Sequence, residues 1–411
     1  MPVSVLVEAP DLTVVGANTA VPVGGGALVP YANLDYAASA PCLEAVRFAL
    51  EEALPTYSSV HRGAGYTSQL TTARYEHARH VVRSFVGARQ DDAVVFTRNT
   101  TDATNLLAHC LPEDTTVVVF ETEHHATLLP WERAVRLPAP ASPGAAIRAV
   151  AEALAAVEGP KLLCVTAASN VTGELWPIAS LAHIAHEHGA RIFVDAAQHV
   201  PHRPLNLTAL DLDYVAFSGH KLYAPFGSGA LIGRPDWLSQ ARPYLAGGGA
   251  SQAVDDEGTR WSADPEQRHE AGTPNVLGVI ALAAACDALA GVGWSSLIEQ
   301  EERLLTRLRA GLATLPGVRE LSLWGPDHPR LGIVSFVVDG VSARDVAERL
   351  STEYGIGVRD GQFCAHPLVN HLLEGSGGGC VDSTARAVRA SIGVGTTEEH
   401  IDRLIDALRS F

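Results

Sequence analysis

The chain has 411 residues, 47% of them hydrophobic and 18% charged, enough to enclose the cores of two domains. Its formal net charge is −16, and no basic stripe is present that would neutralise phosphates, which argues against a nucleic-acid partner. Its 24 prolines and 37 glycines are spread along the chain and mark many short loops rather than disorder.

The N-terminus, "MPVSVLVEAPDL", has neither a basic n-region nor a cleavage-type apolar core, so no secretory signal is expected. Short apolar strands are predicted at "AVVFT" (93–97), "TVVVFE" (116–121), "KLLCVTAAS" (161–169), "RIFVDAA" (191–197), "YVAFSG" (214–219) and "GALIG" (229–233). Helix-like segments lie between most of them, at 101–111, 145–157 and 178–188. Such alternation predicts an α/β architecture with a mostly parallel central sheet covered on both faces.

The pattern changes after about residue 275. The stretch "VLGVIALAAACDALAGVGW" carries Asp287 and several glycines, so it reads as a buried core helix and not as a membrane span. A charged helix (294–313) leads to "LGIVSFVVD", a helix at 342–353, "GIGVR", "AVRASIGV" and a last helix near 397–409. This predicts a smaller α+β C-terminal domain over 286–411, following a large domain over 33–285, with residues 1–32 packing against the small domain. The polar run 247–275 and the glycine-rich "EGSGGGCVDS" (374–383) read as loops.

Cys42, Cys110, Cys164, Cys286, Cys364 and Cys380 show no zinc-type spacing, and with no export signal they point to a reducing cytoplasm. His183, His186 and His188 share a helix without a third ligand at a fitting position. They read as solvent-facing histidines, and no metal site is expected.

Only Lys161 and Lys221 are lysines among the 30 cationic side chains. Lys221 follows a buried-looking strand, at the strand end where ligands gather in α/β sheets, between Ser218–His220 and Tyr223. A primary amine forms a Schiff base with an aldehyde, whereas a guanidinium at neutral pH does not. Asp195 ends the strand "RIFVD" at the same sheet edge; alone it also reads as a turn or capping aspartate. Beside a Schiff-base lysine it gains a specific task, because pyridoxal phosphate needs a carboxylate at its pyridine nitrogen. Gln198 follows three residues on, within reach of the ring oxygen. Thr100 and Thr101 open a helix after a strand, an arrangement that suits an anion as well as ordinary capping. His124 and His125 follow another strand, where an imidazole can lie over a planar ring and move protons.

Together "NLDYAASAP", "SSVHRGAGYTS", "TRNTTDATNLL", "TEHHATLLPW", "SNVTGELWPI", "VDAAQHVPH", "FSGHKLYAPFGSGAL", "EAGTPN", "GVRDGQFCAHPL" and "VRASIGVGTTEEHIDRL" carry a resemblance that runs almost end to end. The chain resembles the group II cysteine desulfurases and selenocysteine lyases of the class V aminotransferase superfamily, pyridoxal-phosphate enzymes of fold type I. The resemblance implies that Lys221 binds the cofactor covalently and moves protons at the substrate Cα. It implies that Asp195 pairs with the pyridine nitrogen, Gln198 with the ring oxygen, and His124 stacks on the ring. Thr100, Thr101, Ser218 and His220 would hold the phosphate, with Thr273 reaching that of a neighbouring subunit in a homodimer. Arg389 would clamp the substrate carboxylate with a bidentate fork, Arg359 and Asn170 would assist, and Cys364 would take up sulfur from L-cysteine. Gln362 and Phe363 stand where many group II desulfurases carry a histidine pair. The alternatives are another class V reaction (transamination, epimerisation or C–S lysis) or a silent scaffold that serves as a sulfur-relay partner.

Overall fold

The computed structural model describes residues 12–374 and 386–411; Cys380 and most of the glycine-rich insert lie outside them. The large domain is built on a seven-stranded sheet of β1 (Ala93–Thr97), β2 (Thr116–Phe120), β3 (Ala134–Leu137), β4 (Lys161–Thr166), β5 (Arg191–Asp195), β6 (Tyr214–Ser218) and β7 (Gly229–Gly233). The order across it is β1-β7-β6-β5-β4-β2-β3. The pairs from β3 to β6 are parallel, and β7 runs antiparallel between β6 and β1.

The strands form because both of their faces have somewhere apolar to go. Val94, Val118, Leu163, Val165, Ile192, Val194, Val215, Phe217 and Ile232 point into one cluster, and Val95, Val119, Leu162, Cys164, Phe193, Ala216 and Leu231 into another. Successive side chains alternate between these clusters, as a two-sided buried sheet requires. Each fully buried Val, Leu, Ile or Phe contributes roughly 1.5–3 kcal/mol, so the continuous apolar runs hold the strand register firmly.

The edge strand β3, "AVRL", went unrecognised in the sequence because it is short and half exposed, without the apolar run of its neighbours. The run 247–275, expected to be a loop, instead holds a hairpin (Ser251–Asp255 with Gly258–Trp261) and a helix, Pro265–His269. Its hairpin strands are largely exposed and polar, so no hydrophobic pattern announced them. The segment protects the sheet edge. Glu266 accepts from the Val94 N–H at 2.9 Å and Glu270 from the Phe96 N–H at 2.7 Å, satisfying donors of β1 that no strand pairs. The buried Arg79 neutralises Glu270 at 2.8 Å.

The apolar helix Val276–Val292 is buried along most of its length, and no single helix among the described residues is long and apolar enough to cross a membrane. It runs through the expected division at 285, burying Cys286 and Leu289 in the same cluster as Leu282. The small domain has an antiparallel sheet of β8 (Val318–Glu320), β9 (Ile333–Val338), β10 (Arg359–Gly361) and β11 (Ala387–Ser391), in the order β8-β9-β11-β10. Its core joins Val334, Phe336, Val388 and Ala390 to the helices Trp294–Ala313, Ala343–Tyr354 and Glu398–Leu408. The strand Ala32–Asn33 pairs with Ile356–Gly357 of this domain.

Glu174 ties the two domains together. It is fully buried and accepts from Ser322 Oγ at 2.7 Å and from the Trp324 and Leu323 N–H groups at 2.8 and 2.9 Å. Losing one partner of such a set strands several buried donors. Glu174→Ala should therefore lower unfolding stability by roughly 3–5 kcal/mol, read as a shift of the urea midpoint. A change under about 1 kcal/mol would show that the junction does not depend on this carboxylate.

Candidate active site

Five strands end at one edge of the large sheet, and the chain that follows each delivers a functional side chain there. β1 runs into the helix Thr100–Cys110, β2 into His124, β4 into Asn170, β5 ends on Asp195 and β6 on Ser218, three residues before Lys221. Gly229 opens β7 at this edge, and no larger residue fits: a Cβ there would stand 2.6 Å from the Phe217 carbonyl oxygen and 2.9 Å from Asn99 Cα. Side chains from both domains surround a cavity of about 530 Å³.

Lys221, Asp195, His124, Thr100, Thr101 and Ser218 line the floor of this cavity. His220, Asn170, Arg359, Arg389 and Cys364 complete its walls. Two of the expected residues are not in the lining. Gln198 is buried behind it and donates to the Ala37 carbonyl at 2.8 Å. Thr273 is exposed and is not among the residues that line the cavity of its own chain.

Burial pulls the Lys221 ammonium down to about 8, against an opposing pull from the Asp195 carboxylate and a further lowering by Arg389. Asp195 is held rigidly: one oxygen accepts from Thr127 Oγ1 at 2.9 Å and the other from the Ala197 N–H at 2.9 Å. His124 accepts from the Ala126 N–H through Nδ1 at 3.0 Å, so in the neutral ring the proton sits on Nε2. Burial first, then Lys221, His125 and Arg389, lower it to about 3, and the ring stays neutral at physiological pH. Burial and Lys221 likewise lower His220 to about 4. Ser218 Oγ lies 2.7 Å from Thr100 Oγ1 and accepts from the Thr100 N–H at 2.8 Å, fixing hydroxyls beside the helix N-terminus.

The opposite wall comes from the small domain. Arg389 is 3% exposed; its Nη1 donates to the Asn170 carbonyl at 2.9 Å and its Nη2 to Asp35 Oδ1 at 3.3 Å. Its Nε has no hydrogen-bond partner among the described residues. Burial lowers this guanidinium to about 10. Asn170 has a second task, donating through Nδ2 to the Phe363 carbonyl at 2.8 Å. The His125 N–H donates to the Cys364 carbonyl at 2.8 Å, and the His125 and His366 rings lie 4.5 Å apart. Phe363 covers Arg389 at 5.0 Å, and Gln362 donates to Asn370 at 2.9 Å.

Residues 32–404 match the family model described as aminotransferase class-V. The chain belongs to this family. It is 35% identical over 394 residues to a cysteine desulfurase of Escherichia coli, covering 93% of both chains. Among solved structures it superposes on the E. coli cysteine desulfurase CsdA with a TM-score of 0.78 at 33% identity, covering 92% of this chain and 94% of that one. The apo cysteine desulfurase of Thermococcus onnurineus gives 0.82 at 30% identity, with the same coverage. The fold is therefore that of the fold type I pyridoxal-phosphate enzymes, and pyridoxal phosphate is the family's cofactor.

The side chains present fit that group. A desolvated amine can bond its aldehyde, a rigid buried carboxylate can hold its ring nitrogen, and hydroxyls at a helix N-terminus can take its phosphate. Sequence reasoning missed Thr127 and Asp35. Thr127 hides inside "EHHATLLPW" as an ordinary threonine, and Asp35 in "NLDYAASAP" gives no sign of the arginines it meets 324 and 354 residues away. His186 departs from the solvent-facing reading, being half-buried against Asp213 at 2.8 Å, while His183 is exposed as expected.

The lowered Lys221 amine sets a pH dependence. An ordinary lysine at pH 8 is under about 1% free base, whereas this one is near half. Aldehyde capture by apoprotein should rise as pH increases through about 8 and level off above it. Borohydride should then fix a pyridoxyl mass adduct on Lys221, and Lys221→Arg should give none. Capture that keeps rising tenfold per pH unit to pH 10 would show an ordinary lysine.

Proposed function

We propose that the protein is a cysteine desulfurase that converts L-cysteine to L-alanine and holds the sulfur as a persulfide on Cys364. The observation that carries this reading is one cavity walled by a desolvated amine, a thiol and a buried guanidinium, those of Lys221, Cys364 and Arg389. The cysteine desulfurases to which the chain is similar support it. Bound here, pyridoxal phosphate supplies an aldehyde that takes up an amine and a protonated ring that drains electrons from the substrate's Cα and Cβ.

The chain's own groups do the rest. Asp195 keeps the ring nitrogen protonated, and Thr127 and the Ala197 N–H hold its carboxylate in place. Thr100, Thr101, Ser218 and His220 take the phosphate. His124, a neutral imidazole with its proton on Nε2, would stack on the ring and could hydrogen-bond or pass a proton through that nitrogen. Gln198, which would pair with the ring oxygen by resemblance, instead donates to the Ala37 carbonyl behind the lining. Arg389 and Arg359 hold the substrate carboxylate, and Lys221, as a free amine, takes the Cα proton. Asn170 braces this arrangement by fixing both Arg389 and the turn that carries Cys364.

The Cys364 thiolate attacks the substrate sulfur. A new S–S bond forms as the Cβ–S bond breaks, and the carbon keeps the electron pair. The proton given up by Cys364 balances the one gained at Cβ, which becomes the methyl of alanine. Cys364 is exposed at the cavity mouth, where a thiol of an acceptor protein can reach it. A reducing, cytoplasmic setting suits a thiol that must stay free.

The functional unit in this reading is a homodimer. Thr273, exposed and outside the lining of its own cavity, would supply a hydroxyl to the phosphate bound in the partner subunit. Light scattering at assay concentration should show a dimer, and an active monomer would remove that role from Thr273.

Cys364→Ala tests the sulfur step. The variant should retain the cofactor and its spectral response to L-cysteine, while alanine formation falls at least about 100-fold, in the range seen when a catalytic nucleophile is lost. Unchanged alanine release would take Cys364 out of the mechanism and favour C–S lysis on the same scaffold without a persulfide on this thiol.

A further inference from the structure

A buried acid beneath the cavity floor has no task in the chemistry above. Glu123 follows β2, directly before His124, and is fully buried. Its Oε1 accepts from the Thr166 N–H at 3.1 Å. Its Oε2, equally shut off from water, has no hydrogen-bond partner among the described residues. Thr166 ends β4 and stands directly across from Asp195 in the parallel pairing of β4 with β5. The carboxyl groups of Glu123 and Asp195 are thus neighbours under one floor, and they interact. Two interacting carboxyl groups out of water do not readily both ionise.

Their partners decide which one keeps the charge. Asp195 has two donors, Thr127 Oγ1 and the Ala197 N–H, and it attracts the Lys221 ammonium. Glu123 has one backbone donor, and no cation is among the groups that act on it. Its other titratable neighbour, Cys164, is a fully buried thiol pushed up by its own burial, and supplies no counter-charge. Burial, with Asp195 adding to it and the Thr166 N–H opposing, pushes Glu123 well above the usual carboxylate range.

We propose that Glu123 is a positioning residue that works as an uncharged carboxylic acid. It fixes the end of β4 beside Asp195 and leaves Asp195 to face the cofactor's ring nitrogen as a lone carboxylate. The consequence reaches Lys221. A second negative charge under the floor would draw that amine back toward its charged form. A hydrocarbon in place of the acid would strand the Thr166 N–H as a buried donor. The inference concerns the cofactor floor alone, so it stands apart from the sulfur step, and nothing in its test uses L-cysteine.

The test is infrared spectroscopy of the holoenzyme, with Glu123→Gln as the reference. The wild type should show the carbonyl stretch of a protonated carboxyl, moved by deuterium exchange and by isotope-labelled glutamate, from about pH 6 to about pH 9. Glu123→Gln should lack that band. Its apoprotein should still capture aldehyde with the wild-type midpoint of about 8. An ionised Glu123 predicts no band and a midpoint about one unit lower in the variant, the effect of losing a unit charge about 10 Å away at an effective dielectric of about 20. Either result would overturn the proposal, and the labelled wild type gives the first of them without any variant. Glu123→Leu is also uncharged but cannot accept from Thr166. It should bind pyridoxal phosphate about tenfold weaker, with Glu123→Gln close to wild type. Leucine binding the cofactor as well as glutamate does would remove the positioning role.

Discussion

Desolvation of the Lys221 amine is the constraint on which the rest of the site depends. An ammonium removed from water is expensive unless a counter-charge or loss of its proton compensates. This site provides both in part: Asp195 pulls the amine toward its charged form, while burial and Arg389 pull harder the other way. The outcome is an amine poised near neutral pH, where it can be a nucleophile and a base in turn. A guanidinium in its place would stay charged, which is why a chain that uses arginine almost everywhere keeps lysine at this position.

The surrounding groups follow from that balance. Further positive charge near Lys221 would lower it still more, and the two nearby imidazoles, His124 and His220, are held neutral by burial. The guanidiniums of the cavity, Arg389 and Arg359, lie on the small-domain wall, where both meet the Asp35 carboxylate. The site is thus divided between a large-domain floor, where protons move, and a small-domain wall, where charge is fixed. Glu174 and the chain around Asp35 hold these two parts together.

What the sequence revealed, and what it hid, has a physical pattern. Six of the seven sheet strands were legible because each is buried on both faces and reads as an unbroken apolar run. Ligand-facing residues at their ends were legible for the same reason, since a strand end fixes where Asp195, Ser218 and Lys221 must lie. β3 and the hairpin at 251–261 were not, because half-exposed or polar strands carry no such run. Asp35 was invisible for another reason. Its partners come from strands that only tertiary pairing brings to it, and no local pattern encodes that meeting.

The turn that carries Cys364 shows what the histidine-to-Gln362–Phe363 change leaves intact. Phe363 and Cys364 are consecutive non-glycine residues in the left-handed region, with φ of +52° and +53°. Each costs roughly 1–2 kcal/mol, so the conformation persists only because its surroundings enforce it. Asn170 takes the Phe363 carbonyl, the His125 N–H takes the Cys364 carbonyl, and Ala365 is buried under the helix that follows. None of these contacts uses the side chain of residue 362 or 363. Strain held this way concentrates where function needs a fixed direction, and here the backbone fixes it, leaving the preceding side chains free to differ. His125 of the large domain and His366 of the small domain meanwhile set their rings 4.5 Å apart beside this turn.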